Sequence, residues 1–140
     1  MQKILPDTNI LIDWLNRRRY GELLFARGCF KYLSAVVWLE LEAGAFQRRD
    51  RRLVEQLAQG FVGAGRVVTP TAADWQEGGR LLCRLQEVYG YDLHRAYSLT
   101  HDVLIALSAR RIGALLITQN GKDFEAIRKL KPFSLLVVPA

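Results

Sequence analysis

Short apolar runs alternate with stretches of helical spacing along this chain. Ile4-Leu5-Pro6 runs into Asp7-Thr8-Asn9, and Ile10-Leu11-Ile12 follows. That order predicts a buried strand ending at Asp7, a turn, and a helix starting near Asn9, with Thr8 and Asn9 as candidate caps. Glu22 to Ala26 suits a short helix closed by Gly28. Phe30-Lys31-Tyr32-Leu33 alternates apolar and polar positions, as a second strand would. Ser34 is placed to cap a helix with Val37, Leu41 and Ala45 on one side, and Gly44 would permit a close contact there. Asp50 to Leu57 predicts an amphipathic helix ending in the glycine-rich segment Gly60 to Gly65. Arg66 to Thr69 follows as a strand stopped by Pro70.

Thr71-x-x-Asp74 has the form of a capping box. The helix it opens carries Trp75, Leu82, Leu85 and Tyr89 as its expected core stripe, and Gly90 closes it. Tyr91 to Leu99 has no clear pattern and reads as a loop. Thr100 is the expected cap of the next helix. Asp102 lies early in that helix and Arg110-Arg111 late, an order that suits the helix dipole. Ala114 to Ile117 is the continuous apolar run of a parallel strand covered on both faces. Thr118 to Phe124 is the loop at its carboxyl end, Phe124 to Lys131 a short basic helix, and Ser134 to Val138 the last strand. The alternation predicts an α/β fold, with a central parallel sheet of about five strands and helices on both faces.

Composition narrows the class. The chain has 140 residues, half of them hydrophobic, which suits one domain with one core and excludes a disordered chain. No apolar run approaches the length of a membrane span. Met1-Gln2-Lys3 leads directly into the first strand, so no signal peptide is expected, and a cytoplasmic location is. Cys29 and Cys83 lie far apart with no CxxC spacing, which argues against a disulfide framework or a zinc site. The net charge of +6 suits a polyanionic or acidic partner without requiring one.

Four acids sit in or beside apolar segments instead of on charged faces: Asp7, Glu40, Asp102 and Asp123. In a parallel sheet the strand ends carrying Asp7 and Asp123 share one rim, where α/β folds bind ligands. The Asp102 helix starts within reach of that rim. Asp7 taken alone reads more readily as a helix cap than as a site residue. Two carboxylates roughly 5 Å apart at an effective dielectric near 20 repel by about 3 kcal/mol, so gathered acids call for a cation. With no His or Cys cluster beside them, the fitting cation is a hard one with oxygen ligands, Mg²⁺ or Mn²⁺. Such a pocket on a basic protein suits phosphodiester chemistry. Thr118 and Asn120 would orient a carboxylate or the scissile phosphate, although ordinary turn chemistry also accounts for them. His101 is assigned a surface or packing role, and Trp14, Trp38 and Trp75 are read as packing anchors. Arg48-Arg49 and Arg51-Arg52 read as a solvated face. Lys122, Arg128, Lys129 and Lys131 lie beside Asp123, and Lys122 and Arg128 are the candidate contacts to a nucleic-acid backbone.

Four segments in order resemble the PIN domain, and most closely the VapC ribonuclease toxins of bacterial and archaeal type II toxin–antitoxin systems. They are Asp7-Thr8-Asn9-Ile10-Leu11-Ile12, Ser34-x-Val36-x-x-x-Glu40-Leu41-x-x-Gly44, Asp102-x-x-Ile105-Ala106 and Thr118-x-Asn120-x-x-Asp123-Phe124. The resemblance implies a three-layer sandwich around a five-stranded parallel sheet. It carries Asp7, Glu40, Asp102 and Asp123 over as metal ligands, supported by Thr8, Asn9, Thr118 and Asn120. It further implies Mg²⁺- or Mn²⁺-dependent cleavage of RNA, a homodimer, and inhibition by a VapB-like antitoxin. Leu107 departs from the pattern by standing where the family often has a small residue, and the Tyr89–Leu99 loop is longer and more aromatic. Glu42 lies near Glu40 but faces elsewhere on the helix. Two other classes remain open. One is a haloacid-dehalogenase-like Mg²⁺ phosphatase with Asp7 as nucleophile, although Asn9 stands where that chemistry wants a second acid. The other is a catalytically silent PIN-like binding module.

Overall fold

A computed structural model describes residues 2–140, so the expected lead-in from Met1 begins outside the described residues. The elements are β1 (Gln2–Pro6), α1 (Thr8–Arg17), α2 (Gly21–Leu24), β2 (Cys29–Lys31), β3 (Leu33–Ser34), α3 (Ala35–Ala43) and α4 (Arg48–Gly63). They continue with β4 (Val67–Val68), α5 (Ala72–Tyr89), α6 (Leu99–Ile112), β5 (Leu115–Thr118), α7 (Gly121–Leu130) and β6 (Leu135–Val137).

The central sheet is parallel throughout, in the order β2-β1-β5-β6. It has four strands, not the expected five. The Arg66–Thr69 segment supplies β4, which pairs instead with β3 in a separate two-stranded ladder, Leu33 beside Val67 and Ser34 beside Val68. The strand expected over residues 30–33 breaks at Tyr32. The Tyr32 N–H still donates to the carbonyl of Ile4 at 2.9 Å, and beyond it the backbone changes partners. Ser34 then caps α3, its hydroxyl accepting from the N–H groups of Val36 and Val37.

Period-two alternation divides the apolar side chains of the central strands between two faces. Leu5 and Leu116, adjacent in register, join the larger core with α3, α5, α6 and α7. Ile4 and Ile117 pack into a smaller one with Ile10, Leu24 and Trp14. A central strand pair buried on both sides reads as a continuous apolar run, as β5 did. Where the resemblance expects a small residue, α6 carries the buried Leu107, and α5 presents Gly78 opposite. A Cβ on Gly78 would already stand 3.5–3.8 Å from Val103, Leu104 and Leu107.

Several boundaries differ from the sequence reading. Asp7 itself caps α1, in place of Thr8 or Asn9. Helix α4 continues through Gly60 to Gly63, carried by the buried Val54, Ala58 and Phe61. Helix α6 starts at Leu99, with Ser98 at the cap position and no side-chain cap bond, so Thr100 is not its cap. Asp123 lies in the first turn of α7 and not in a loop. On α5 the buried positions are Asp74, Gly78, Leu81 and Leu85, whereas Trp75 and Tyr89 are exposed. Gly44 closes α3, and a Cβ there would meet only that helix's own carbonyls, so it serves no close contact. Among the described residues no helix is long and apolar enough to cross a membrane.

Candidate active site

The carboxyl ends of β1 and β5 are neighbours because Pro6 pairs with Ile117. The Asp7 N–H continues the ladder to the Ile117 carbonyl at 2.8 Å. This places the Asp7 side chain beside Thr118, the last residue of β5. Asp7 is 5% exposed and both its oxygens are engaged. Oδ1 accepts from the backbone N–H of Thr8 at 2.8 Å. Oδ2 accepts from the Thr118 hydroxyl at 2.7 Å and more distantly from the Asn9 amide at 3.4 Å. Burial raises the Asp7 pKa and the charge of Glu40 adds to the rise, while the bonds from Thr118, Thr8 and Asn9 oppose it.

Thr118 and Asn9 hold this corner together. The Thr118 hydroxyl accepts from the backbone N–H of Asn120 at 3.0 Å while donating to Asp7. The Asn9 side-chain oxygen accepts from the Gln119 N–H at 3.1 Å. Asn120 therefore contributes backbone, and its side chain makes no cap bond to α7.

Glu40 approaches from α3. Its Oε1 accepts from the Thr8 hydroxyl at 2.7 Å, and its Oε2 stands 3.2 Å from Nδ1 of His101. Glu42 is exposed and accepts from the Trp38 indole at 3.2 Å, so it faces elsewhere as expected. Asp123 reaches the rim from α7, where its Oδ1 accepts from the Tyr91 hydroxyl at 2.8 Å. Burial and that contact push the Tyr91 phenol up to about 12.

Asp102 lies in the first turn of α6 and is 7% exposed. Its Oδ2 is buried with no hydrogen-bond partner among the described residues. Burial, together with the charges of Asp7, Asp123 and Glu40, pushes its carboxyl up to about 8. Asp102 thus feels the three other acids, and Asp7 feels Glu40, although the four come from four different elements.

No three His, Cys, Asp or Glu side chains among the described residues are already gathered closely enough to enclose a metal ion. Thr118 holds Asp7, Thr8 and His101 contact Glu40, and Tyr91 holds Asp123, so three of the four acids already have a side-chain partner. The donor set still fits a hard divalent cation. It consists of carboxylate oxygens, and the orphaned buried Oδ2 of Asp102 lacks the positive partner that such a group requires.

Of the two candidate phosphate contacts, Lys122 is exposed and lines a groove with Tyr89, Tyr91, Asp123 and Lys129. Arg128 is committed to Glu125 at 2.6 Å. His101 and Tyr91 were missed as neighbours of the site. The signal for His101 was its place beside Asp102 in the first turn of a helix. For Tyr91, in a patternless loop, there was none.

A parallel α/β sheet with buried acids converging at its carboxyl rim defines a class of fold and site, and sequence comparison gives the family. The PIN domain profile matches residues 4–130, and the chain belongs to that family. No curated protein sequence matches it. Three of the solved structures with this fold are VapBC complexes. VapBC2 from Rickettsia felis, bound to a promoter DNA fragment, has a TM-score of 0.70 at 22% identity, covering 98% of this chain and 99% of that one. VapBC-1 from nontypeable Haemophilus influenzae has a TM-score of 0.70 at 24% identity, covering 97% and 98%. VapBC-5 from Mycobacterium tuberculosis, a member of the VapBC family of toxin–antitoxin systems, has a TM-score of 0.65 at 18% identity, covering 99% and 100%.

Proposed function

We propose that this PIN domain is a metal-dependent endoribonuclease acting in the cytoplasm as the toxin of a VapBC-like toxin–antitoxin pair. The observation that carries the reading is Asp102: a buried carboxylate whose Oδ2 has no partner and which feels three neighbouring acids. Burying such an arrangement for packing alone costs stability and returns none. Asp7, Glu40, Asp102 and Asp123 would hold Mg²⁺ or Mn²⁺. The bound ion would polarise a phosphate oxygen and lower the pKa of an attacking water. Thr118, Thr8 and Asn9 fix the orientation of Asp7 before any ligand arrives. Thr8 and His101 do the same for Glu40. Lys122, at the mouth of the groove beside Asp123, meets the RNA backbone as a point charge. Arg128, paired with Glu125 through one guanidinium nitrogen, is the second proposed contact.

A VapB-like antitoxin is the proposed inhibitor, by likeness to the VapBC complexes, and a homodimer is the proposed assembly on the family resemblance alone. The phosphatase alternative has less support, because Asn9 stands where that chemistry wants a second acid and its side chain is bonded to the Gln119 N–H. Nothing in the geometry favours the silent binding module.

The test is digestion of RNA by the purified chain. Cleavage that needs Mn²⁺ or Mg²⁺, stops with chelator and is lost in Asp102→Asn is the expected result. Intact RNA under every metal condition, with wild type and Asp102→Asn equally tolerated on expression, would sink the reading.

A further inference from the structure

The segment between α5 and α6 matched no motif, yet it reaches the acid rim through one atom. Gly90 ends α5 in a left-handed conformation, φ 68°, that most side chains avoid. The turn brings Tyr91 back so that its N–H faces the Leu85 carbonyl at 3.4 Å. The ring packs partly buried against the larger core. The hydroxyl extends beyond that packing to Asp123, 32 residues further along the chain, at 2.8 Å. Ring and hydroxyl therefore have separable jobs: the ring anchors the segment, and the hydroxyl engages one oxygen of an acid on another element.

We propose that Tyr91 is a positioning residue that orients the Asp123 carboxylate for a divalent cation. The inference rests on the metal-site reading above and adds to it a residue outside the four acids and their strand-end partners. Asp123 stands on the first turn of α7, where its side chain has several rotamers open to it. A donor on Oδ1 restricts that freedom and leaves Oδ2 to meet a cation. Outer partners of this kind typically change metal affinity by roughly 10- to 100-fold.

The experiment is titration of the full chain with Mn²⁺ alone, without RNA, followed by calorimetry and by the Mn²⁺ electron paramagnetic resonance signal. Tyr91→Phe keeps the ring and removes only the hydroxyl. The expected result is Mn²⁺ binding weakened about 10-fold or more. A second pair of variants separates positioning from general loosening. In an Asp123→Asn background, Tyr91→Phe should change Mn²⁺ affinity little further, because the two residues act as one unit. Equal weakening in both backgrounds would overturn the inference, as would Tyr91→Phe binding Mn²⁺ as tightly as wild type or more so. A wild type that binds Mn²⁺ while Tyr91→Phe is unchanged removes this inference alone. A wild type that binds no Mn²⁺ removes the metal-site reading with it.

Discussion

Two buried aspartates on neighbouring helices have opposite surroundings. Asp74, at the start of α5, is 8% exposed, and Asp102, at the start of α6, is 7% exposed. Asp74 has both a backbone donor and a counter-charge, on its Oδ2. The N–H of Thr71 donates to its Oδ2 at 2.9 Å to complete the capping box, and the Arg111 guanidinium stands 3.0 Å away. Arg111 also donates to the Thr69 carbonyl, tying α6 to the chain before α5. Among the described residues Asp102 has no salt-bridge partner, three acids acting on it, and one oxygen with no hydrogen-bond partner. An acid buried for structure comes with its counter-charge and donors. An acid buried without them points to a ligand that the polypeptide does not supply.

The largest effect that would break this contrast is on activity. Asp102→Asn should lower RNA cleavage by about two to three orders of magnitude, the size of losing one preorganised charged group. Cleavage within a factor of two of wild type, measured on the same RNA, would put Asp102 on the structural side with Asp74.

The second effect is on the pH dependence of stability without metal. Asp102 has its folded pKa raised to about 8, against about 3.9 in an unfolded chain. Between those values the folded state holds the extra proton, so the contribution of Asp102 to stability is fully present below about pH 4 and is lost as pH rises toward 8. The rise at Asp7 has the same sign. In chelator the melting temperature should therefore fall from pH 5 to pH 8, by a free energy on the order of a few kcal/mol. Asp102→Asn should flatten most of that slope. A slope unchanged by Asp102→Asn would remove the electrostatic half of the comparison.

Asp74→Ala sharpens the contrast from the other side. It leaves Arg111 without its partner and opens the capping box, at a cost of about 1–3 kcal/mol in stability by denaturant titration. RNA cleavage at a temperature where the variant is folded should be unchanged. The smallest effect belongs to Glu42→Gln, which should stay within about 0.5 kcal/mol in stability and leave cleavage intact. A loss at Glu42 comparable to that at Asp102 would mean that α3 presents the wrong acid to the rim.

The parts of the fold legible in the chain were those governed by local periodicity and punctuation. The strand–Asp7–helix unit, the capping box at Thr71 and Asp74, and the apolar run into Thr118 are all written within a few residues. The acids were legible one at a time, because each interrupts an apolar segment. Trp75 and Tyr89 misled because helical spacing alone cannot say which face of α5 meets α6. The small Gly78 marks that face, and it carries no apolar signal. Glycines 60 and 63 suggested an early end to α4, but its apolar face with Val54, Ala58 and Phe61 continues past that local preference.

Local order along the chain determined the strands, helices and caps, since these depend on neighbours one to four residues away. Tertiary structure alone decided that β4 stays out of the central sheet and pairs with β3. It alone placed Glu40 between Thr8 and His101, and put Tyr91 against Asp123. These are side-chain contacts across 32 to 61 residues, selected by how helices pack against a sheet and by where buried charges find donors. No pattern within a single segment encodes such a meeting, because its energy belongs to both partners at once.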